Sequence, residues 1–343
     1  MGRRGLNLTN IRYKYLPQME EYDYLGKENV LYSMFIQKKN FKGNYAKTDN
    51  YGFRLSKFKN KYISLETELF TEDKINIIVG SSLVFGVGTT HDDYTMSSYL
   101  SQRTKEKWIN LGVRGANSFQ EYINLIKIIN KFNNIGKIVV LSGINDIYMN
   151  VRYEPTNDLD DLIFYNSEIE ENMVKNSITR YSLIRRLVAS VISLGRNVEL
   201  NSIIHLKSLS EMIKHKPKAM KRPSFISPID RLGQIFERNF LLYSSLEKKL
   251  EHTEISFFLQ PYFNWIKKEI NLKEKEVFDY IEYVQDPKTH RILNKIDFDL
   301  YYKIRKKLEQ LAEKYSCKYH DMNTEYFGSN EEFIYVDRVH MTD

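Results

Sequence analysis

The amino-acid sequence predicts an α/β fold built around a doubly wound parallel sheet. Short apolar runs, each long enough for one buried strand, recur between residues 75 and 321, and segments with helical periodicity separate them. Several of these runs end in small or turn-forming residues, which is where open α/β sheets place their functional groups. Strand and helix units that alternate in this way are typical of right-handed crossovers between parallel strands.

The strand predictions depend on apolar runs that stop at a turn. The first run ends abruptly at Gly80-Ser81-Ser82, the second leads into Gly115, and the third leads into Asn145. A proline closes the fourth run, and the fifth is short. The five predicted strands are Ile75–Val79, Trp108–Leu111, Lys137–Leu141, Ile255–Pro261 and Lys318–Asp321.

The helix predictions come from capping residues and apolar spacing. Asp92-Asp93 is expected to cap a helix over residues 94–103, and Ser118 with Glu121 has the spacing of a capping box. The helix that Ser118 opens is expected to bury Phe119, Tyr122, Ile123, Ile126 and Ile129 against the sheet. Later helices are expected over residues 232–250, through Trp265 and Ile270, and along Leu300, Ile304, Leu308, Leu311 and Tyr315.

Composition divides the chain into three parts. Residues 1–70 are rich in Tyr, Asn and Lys without a sustained period, so we expect an irregular N-terminal arm packed on the core. Residues 71–150 and 232–343 carry the α/β pattern. Residues 151–231 interrupt it with an acidic, an apolar helical and a basic stretch, and we interpret them as an inserted, mainly helical cap.

The charge balance argues only weakly for a polyanionic partner. The 343 residues include 51 Lys and Arg and 44 Asp and Glu, a formal net charge of +7, but both signs are interleaved through the chain. Because no recognition motif accompanies the charge, a nucleic-acid partner is not expected. The basic segment 207–222 is a candidate contact for an anionic surface or partner, with a solvated face as the alternative.

The sequence shows no targeting or cofactor signal. The N-terminus lacks the apolar stretch of a secretory signal, and no apolar run approaches the ~20 residues that span a bilayer. The chain as written is therefore expected to be soluble and cytoplasmic, unless an anchor was removed upstream. The single cysteine, Cys317, excludes an intrachain disulfide, and the histidines lack the spacing of metal ligands, so no metal or cofactor is expected.

Ser82, Asp337 and His340 together meet the needs of a serine nucleophile. A serine hydroxyl needs a base at neutral pH, which is the usual role of an imidazole. His340 supplies the imidazole, and Asp337, three residues earlier, can accept from its far ring nitrogen. Attack on an ester makes an oxyanion, for which the backbone N–H groups of Ser82 and Gly115 and the side-chain amide of Asn145 are candidate donors.

These residues lie in four segments that resemble blocks I, II, III and V of the SGNH (GDSL-type) hydrolase superfamily, in the family's order. The resemblance covers roughly residues 72 to 343. It implies a flavodoxin-like three-layer α/β/α sandwich, with Ser82 as nucleophile, Gly115 and Asn145 in the oxyanion hole, and Asp337 and His340 completing the triad. The four segments are Gly80-Ser81-Ser82, Asn110-Leu111-Gly112-Val113-Arg114-Gly115, Gly143-Ile144-Asn145-Asp146 and Asp337-Arg338-Val339-His340.

A fifth segment, Asn50-Tyr51-Gly52-Phe53-Arg54, resembles one that precedes block I in bacterial members, many of them tied to surface glycans. This looser resemblance implies a carbohydrate substrate. Arg54, Arg114 and Asp146 are the candidate substrate contacts, and a structural role is the alternative for Arg54.

The sequence departs from the family in two places. Ser81 stands where the family commonly has an aspartate, which leaves Ser81 as an alternative nucleophile to Ser82. Family members continue past the histidine into a helix, whereas this sequence is written only to Asp343. We therefore expect either a longer native chain or a loosely held His340 on a frayed segment.

Three functions are consistent with these residues. The first is a serine esterase that removes an acyl group, acetyl by expectation, from a carbohydrate or another small ester. The second is an O-acetyltransferase in which a glycan hydroxyl intercepts the acyl-enzyme in place of water. The third is a non-catalytic, SGNH-like glycan-binding protein.

Overall fold

The structure is a computed structural model that describes residues 11–152, 227–285, 287–324 and 332–343. The strands in these residues are β1 (Lys27–Val30), β2 (Met34–Gln37), β3 (Ser56–Phe58), β4 (Lys61–Ile63), β5 (Ile75–Gly80), β6 (Lys107–Gly112), β7 (Ile135–Ser142), β8 (Glu254–Leu259) and β9 (Lys318–Asp321). The first four form two antiparallel hairpins, and the last five form one parallel sheet in the order β6-β5-β7-β8-β9. All five predicted sheet strands are confirmed to within two residues at either end.

The sheet is doubly wound, as the sequence predicts. The chain runs outward from β5 to β6, returns past β5 to β7, and then adds β8 and β9 on the other side. Right-handed crossovers in opposite directions place the intervening helices on opposite faces of the sheet. The direction reverses at β5, so the carboxyl end of this strand lies at the switch point where open α/β sheets bind their ligands.

Eleven helices lie in the part of the chain that the structure describes. They are α1 (Ile11–Tyr15), α2 (Gln18–Tyr24), α3 (Leu65–Glu68), α4 (Ser82–Phe85), α5 (Met96–Thr104), α6 (Ser118–Ile126), α7 (Ile144–Arg152), α8 (Pro228–Lys249), α9 (Leu272–Asp279), α10 (Pro287–Leu293) and α11 (Phe298–Tyr315). Short 3-10 turns add Asp92–Tyr94, Ile129–Lys131, Phe263–Trp265 and Met322–Thr324, and a π-helical turn spans Tyr280–Gln285.

Apolar side chains cover both faces of the sheet, because successive residues of a strand point to opposite sides. Phe258 of β8 packs in one cluster with Ile78, Trp108 and Leu100 of α5. Its neighbour Phe257 faces the other way, and its ring lies 5.0 Å from that of Phe240 in α8. Burial on both sides explains why the sheet strands appear in the sequence as continuous apolar runs.

The starts of α5 and α6 differ from the sequence prediction. The cap of α5 is Thr95, whose hydroxyl accepts from the Ser98 amide, and not Asp92-Asp93. Asp92 is buried in an ion pair instead. The cap of α6 is Asn117, which forms its capping box with Gln120, one residue before the predicted position in each case.

The predicted buried face of α6 is also wrong. The helix buries Gln120, Glu121, Asn124 and Leu125, whereas Ile126 is exposed and the other predicted core residues, Phe119, Tyr122, Ile123 and Ile129, are half-buried. The polar residues are accommodated because they find partners beneath the helix. One example is Gln120, whose Nε2 donates to the Ser33 carbonyl at 3.1 Å. Apolar spacing alone misses such a face.

The helix predicted through Trp265 and Ile270 is absent. Trp265 lies in a short 3-10 turn, where its Nε1 donates to the Asp297 carbonyl at 3.0 Å. The next helix, α9, begins only after Asn271, whose side chain caps it. Helices α8 and α11 are confirmed, and α11 buries Ile304, Leu308 and Leu311 as predicted, with Leu300 and Tyr315 half-buried.

The N-terminal segment has more regular structure than predicted. Residues 11–68 contain α1, α2, two hairpins and α3, where the sequence suggested an irregular arm. Apolar residues of α2, including Met19 and Tyr22, share a cluster with Phe85 at the end of α4, with Val87 just beyond it and with Val336. The segment therefore packs directly behind the loops that carry Ser82 and Asp337.

The predicted cap falls mainly on residues 153–226, which lie outside the described residues, and its basic segment 207–222 stays a prediction. The last turn of α7 contains residues 151–152, and the first turn of α8 contains residues 228–231. The sequence predicts that both belong to the cap. Within the described parts of the chain, no helix is both long enough and apolar enough to cross a membrane.

Candidate active site

Ser82 lies at the carboxyl end of β5, as the first residue of the four-residue helix α4. The last residue of the strand, Gly80, is a glycine because the backbone is crowded there. A Cβ on Gly80 would lie 2.3 Å from the Leu141 carbonyl oxygen. The turn closes when the amides of Gly86 and Val87 both donate to the Ser82 carbonyl. Ser82 itself is 8% exposed, so its hydroxyl is held in a defined place at the surface of a cavity.

The structure brings Ser82, His340 and Asp337 together. His340 Nε2 lies 2.6 Å from the Ser82 hydroxyl oxygen, although the two residues are 258 positions apart in sequence. His340 Nδ1 lies 2.8 Å from each carboxylate oxygen of Asp337. When Nδ1–H donates to Asp337, Nε2 is the ring nitrogen that accepts the serine proton, so the geometry fixes the tautomer that a base requires.

The surroundings of Asp337 favour its ionised form. Burial by itself would raise the pKa of Asp337, but the charge and hydrogen bond of His340, the Arg12 guanidinium and the Val339 amide outweigh it and hold this pKa well below its usual range. The amides of Val339 and His340 each donate to Asp337 Oδ1 at 2.9 Å. Asp337 is therefore a carboxylate across the neutral pH range, as an orienting group for His340 must be.

His340 lies on a hydrogen-bonded segment, so the alternative of a loosely held His340 is wrong. The Val336 amide donates to the His340 carbonyl, and the Thr342 amide donates to the Ile334 carbonyl, which closes a turn around the triad residues. Asp343 accepts from both the amide and the hydroxyl of Thr90, at 2.6 Å each. The backbone is thus anchored by hydrogen bonds on both sides of His340.

The candidate oxyanion donors other than Ser82 lie in the turns that follow β6 and β7. Gly115 has φ of +79°, a left-handed conformation that favours glycine, in the turn after β6. Asn145 lies in the first turn of α7, where one N–H of its side-chain amide donates to the Ala116 carbonyl at 2.7 Å. That bond orients the amide, and its second N–H is available to a substrate oxygen in the cavity that Asn145 and Ser82 both line.

Ser81 does not share this environment. Its hydroxyl lies 3.4 Å from the Gln260 side-chain oxygen and is buried, and it makes no hydrogen bond with His340 among the described residues. Adjacent residues at the end of a strand point in different directions, so only one serine of the pair can meet the imidazole. The geometry favours Ser82 over Ser81.

Two of the three candidate substrate contacts, Arg54 and Asp146, are buried among protein partners, and the third, Arg114, stays a candidate. Arg54 is fully buried and donates to Asp92, to the Tyr22 hydroxyl and to three backbone carbonyls, so no substrate can reach it. Asp146 is buried beneath α6, where it accepts from the amide and hydroxyl of Ser118. Arg114 donates to the Leu25 carbonyl and so ties the turn after β6 to the N-terminal segment.

A cavity of about 230 Å³ opens beside Ser82, Asn145 and His340. The sequence suggested only that residues 262–296 lie near the substrate, and it missed the individual lining residues. Two of them, Arg338 and Val339, lie inside the Asp337–His340 motif. The others come from α7, the turn after β8 and the region from α9 to Ile296: Ile144, Tyr148, Tyr262, Phe278, Ile281, Glu282, Thr289, Leu293 and Ile296.

Arg338 and Glu282 form an ion pair at the cavity wall. The guanidinium makes two hydrogen bonds to the Glu282 carboxylate and a third to the Asn264 side chain. Glu282 also bonds His290, whose Nδ1 lies 3.0 Å from its Oε2. This network joins the turn that carries Asp337 and His340 to the segment after α9. A sequence pattern cannot reveal the contact, because Arg338 and Glu282 are 56 residues apart.

No protein-family model matches the chain, and no curated protein matches it by sequence. Several solved structures are similar in shape. An acetyl xylan esterase is 10% identical, with 78% of this chain and 91% of that chain covered and a TM-score of 0.34. An esterase of the SGNH-hydrolase family is 12% identical, with 73% and 76% covered and a TM-score of 0.31. An acetyl xylan esterase from Geobacillus stearothermophilus is 11% identical, with 74% and 77% covered and a TM-score of 0.32.

At such identities a likeness concerns the fold alone, and the site is better judged from its own geometry. The strand order of the sheet and the place of Ser82 at the end of β5 come directly from this chain. The chain is an α/β sandwich around a five-stranded parallel sheet, the fold that its resemblance to the SGNH hydrolases implies.

Proposed function

We propose that this protein is a serine esterase that works through an acyl-enzyme. The observation that carries the proposal is the hydrogen-bonded series Ser82–His340–Asp337, with 2.6 Å between the serine oxygen and Nε2 and 2.8 Å between Nδ1 and the carboxylate. A serine, a base and an orienting carboxylate in this order are the parts that nucleophilic acyl transfer requires.

In the first half of the reaction, the Ser82 oxygen forms a bond to the ester carbonyl carbon while its proton passes to His340 Nε2. The carbonyl oxygen becomes an oxyanion, to which the Ser82 and Gly115 amides and the Asn145 side chain would donate. When the intermediate collapses, the bond to the leaving alkoxide breaks and His340 returns the proton to that oxygen. Asp337 stabilises the imidazolium in between.

In the second half, His340 takes a proton from water, the water oxygen attacks the acyl-enzyme carbonyl, and Ser82 leaves with the proton from His340. The products are a carboxylic acid and the free alcohol. The substrate that we propose is an acyl ester of a carbohydrate, with acetyl as the acyl group that the motif resemblance suggests. Acetyl transfer to a glycan hydroxyl is the second candidate, because the same acyl-enzyme serves both reactions.

The experiment compares hydrolysis of p-nitrophenyl acetate and labelling by a fluorophosphonate probe in the wild type and in Ser82→Ala, His340→Ala and Ser81→Ala. Removal of Ser82 or His340 should lower kcat by about 10⁴-fold or more, and removal of Ser82 should abolish labelling. Ser81→Ala is the matched control and should keep most of the activity.

A wild type that neither hydrolyses the ester nor reacts with the probe would contradict both enzymatic functions and leave a glycan-binding role. Acetylated sugar recovered when a sugar acceptor is added, at the expense of free acetate, would favour the transferase.

A further inference from the structure

The cavity beside Ser82 is mainly apolar. Its lining includes Tyr148 from α7, Phe278 and Ile281 from the α9 region, and Leu293 and Ile296. Phe278, Leu293 and Ile296 are each less than 9% exposed, so they form a fixed wall and are not free to turn into solvent. An apolar wall next to a nucleophile allows a hydrocarbon group of the substrate to be buried away from water.

The size of the cavity exceeds what an acetyl group needs. Its volume is about 230 Å³, whereas an apolar cavity of about 150 Å³ holds the six carbons of benzene. In proportion, the cavity beside Ser82 has room for about nine carbons. An acetyl group, with one carbon beyond the carbonyl, would leave most of this volume unfilled.

The polar side chains of the cavity wall around Arg338 are hydrogen-bonded to one another. Arg338 and Glu282 bind each other through two hydrogen bonds, and Asn264 and His290 occupy further positions on the pair. A sugar ring buried in this cavity would need partners for several hydroxyls, whereas an alkyl chain needs none.

We propose that this cavity binds the acyl chain of the ester, and that the enzyme acts faster on acyl groups of about six to nine carbons than on acetyl. The inference rests on the proposed esterase function, and it replaces acetyl, the acyl group that the motif resemblance suggests, with a longer chain as the preferred acyl group. The leaving alcohol would face the solvent side of His340, where its hydroxyls can stay hydrated.

The test is a series of p-nitrophenyl esters from acetyl to dodecanoyl, in which only the acyl chain changes. We expect kcat/KM to rise about fourfold for each added methylene, which corresponds to about 0.8 kcal/mol, and to stop rising near eight or nine carbons. The variant Leu293→Trp should lower kcat/KM for octanoyl at least tenfold more than for acetyl. Leu272→Trp places the same side chain at an 81% exposed position and should leave the profile as in the wild type.

If Leu293→Trp fails to fold, as judged by thermal unfolding, Leu293→Ala replaces it and should move the optimum to longer chains. A flat or falling profile in the wild type would overturn the inference. So would a chain-length preference that appears only when the alcohol is lengthened and the acyl group is kept as acetyl. In both cases acetate hydrolysis that depends on Ser82 would leave the proposed esterase function standing.

A separate observation concerns the N-terminal segment. Arg12 in α1 reaches the triad: its Nη2 lies 3.5 Å from Asp337 Oδ2, the oxygen that also bonds His340. The side chain of Arg12 is only 9% exposed, and Asp23 holds its other end with contacts of 2.8 and 3.1 Å from Nη1. The guanidinium is thus clamped between two carboxylates.

We infer that Arg12 is a positioning residue for the reaction. It contacts the Asp337 oxygen that also bonds His340, and its charge offsets the carboxylate charge that favours the imidazolium. Among the described residues, the ionisable groups that interact with Asp337 include Arg12 from α1, His340 from its own turn and Tyr262 from the loop after β8. Of these, only Arg12 brings a permanent positive charge.

The test compares Arg12→Gln, Arg12→Lys and the exposed neighbour Lys14→Gln on the same helix. Arg12→Gln should lower kcat at least tenfold with KM changed less than twofold, and it should move the acid limb of kcat/KM to higher pH, because protonation of the base becomes easier. Arg12→Lys should restore the acid limb in part, and Lys14→Gln should match the wild type.

A merely structural role would scale the whole pH profile without moving its acid limb. That outcome, or an Arg12→Gln variant that is as active as the wild type, would overturn this inference. Both results are read against the wild-type profile, so they are independent of which acyl chain the enzyme prefers.

Discussion

Arg54 and Asp92 form an ion pair inside the protein: Arg54 Nε lies 2.9 Å from Asp92 Oδ1, and neither side chain exposes more than 1% of its surface. The same guanidinium donates to the carbonyls of Phe85 and Gly86, at the end of the helix that begins with Ser82. The pair therefore links the hairpin region of the N-terminal segment to the loop that follows the candidate nucleophile.

Replacement of Arg54 by glutamine should lower the free energy of unfolding by about 3 to 5 kcal/mol, because the buried Asp92 loses its close partner and keeps only the more distant Lys47, at 3.9 Å, among the ion pairs described. Chemical denaturation measures this loss. Lys275→Gln removes one member of an exposed pair with Asp279 and should cost less than about 1 kcal/mol. A loss for Arg54→Gln as small as for Lys275→Gln would contradict the structural role of Arg54.

Replacement of Asn145 by alanine should lower kcat by about 10²- to 10³-fold with little change in KM, because an oxyanion donor acts mainly in the transition state. Steady-state kinetics on p-nitrophenyl esters measures the change. Asn150→Ala is the matched control, since Asn150 lies on the same helix and its amide also donates to a backbone carbonyl. Equal effects of the two variants would argue against Asn145 as an oxyanion donor.

The low pKa of Asp337 predicts a particular pH dependence of stability. A carboxyl whose pKa is lower in the folded than in the unfolded chain stabilises the fold above its unfolded value, about 3.9, and this contribution is lost as the pH falls below it. Asp337→Asn should therefore be less stable than the wild type by about 2 kcal/mol at pH 7, and the gap should begin to narrow as the pH falls below about 4.

Thermal unfolding at a series of pH values measures this gap. Asp299→Asn, at an exposed position paired with Lys303, should differ from the wild type by less than about 1 kcal/mol at pH 7. A gap between Asp337→Asn and the wild type that is independent of pH would show that the charge of Asp337 is not its source.

Glu274 binds the backbone just before the turn that carries Asp337 and His340. It is fully buried, its Oε2 pairs with Lys268 Nζ at 2.6 Å, and its Oε1 accepts from the amides of Ile334 and Tyr335, just before Asp337. Glu274→Ala should lower the free energy of unfolding by about 3 to 5 kcal/mol and also lower kcat, because the turn loses two backbone anchors. Denaturation and steady-state kinetics together measure both effects.

Glu276→Ala is the control for Glu274→Ala. Glu276 lies on the same helix, but it is exposed and bonds only the Tyr15 hydroxyl among the hydrogen bonds described. It should change stability by about 1 kcal/mol or less and leave kcat unaltered. A Glu274→Ala variant with full kcat in its folded state would contradict the link between this carboxylate and the triad turn.

The sheet and the triad residues could be predicted from the sequence because each leaves a local signal. Strands buried on both faces appear as continuous apolar runs, and β5 to β9 were found in this way. Ser82, Gly115, Asn145, Asp337 and His340 each follow such a strand or lie in a short motif. The structure brings these residues to one edge of the sheet, but their chemical roles stay predictions.

The errors have a common physical origin, since they concern residues whose partners are far away in the chain. The buried face of α6 is polar because Ser118 binds Asp146 and Gln120 binds Ser33, and no apolar spacing marks such contacts. Arg54 was considered for substrate binding because its acceptors, among them Asp92 and Tyr22, cannot be recognised before folding. The contact between Glu282 and Arg338 at the cavity wall also joins residues far apart in the chain, so the sequence does not reveal it.

The long separation between Ser82 and His340 has a consequence for how the protein acquires its activity. The nucleophile turn depends on β5 and its neighbours, whereas the base arrives on a segment that must find it across a closed loop of 258 residues. Contacts of such high sequence separation form late in folding, because the chain entropy they cost is recovered only when the sheet already exists. During refolding, recovery of helix and sheet signals in circular dichroism should therefore precede recovery of the hydrolysis of p-nitrophenyl acetate that we propose.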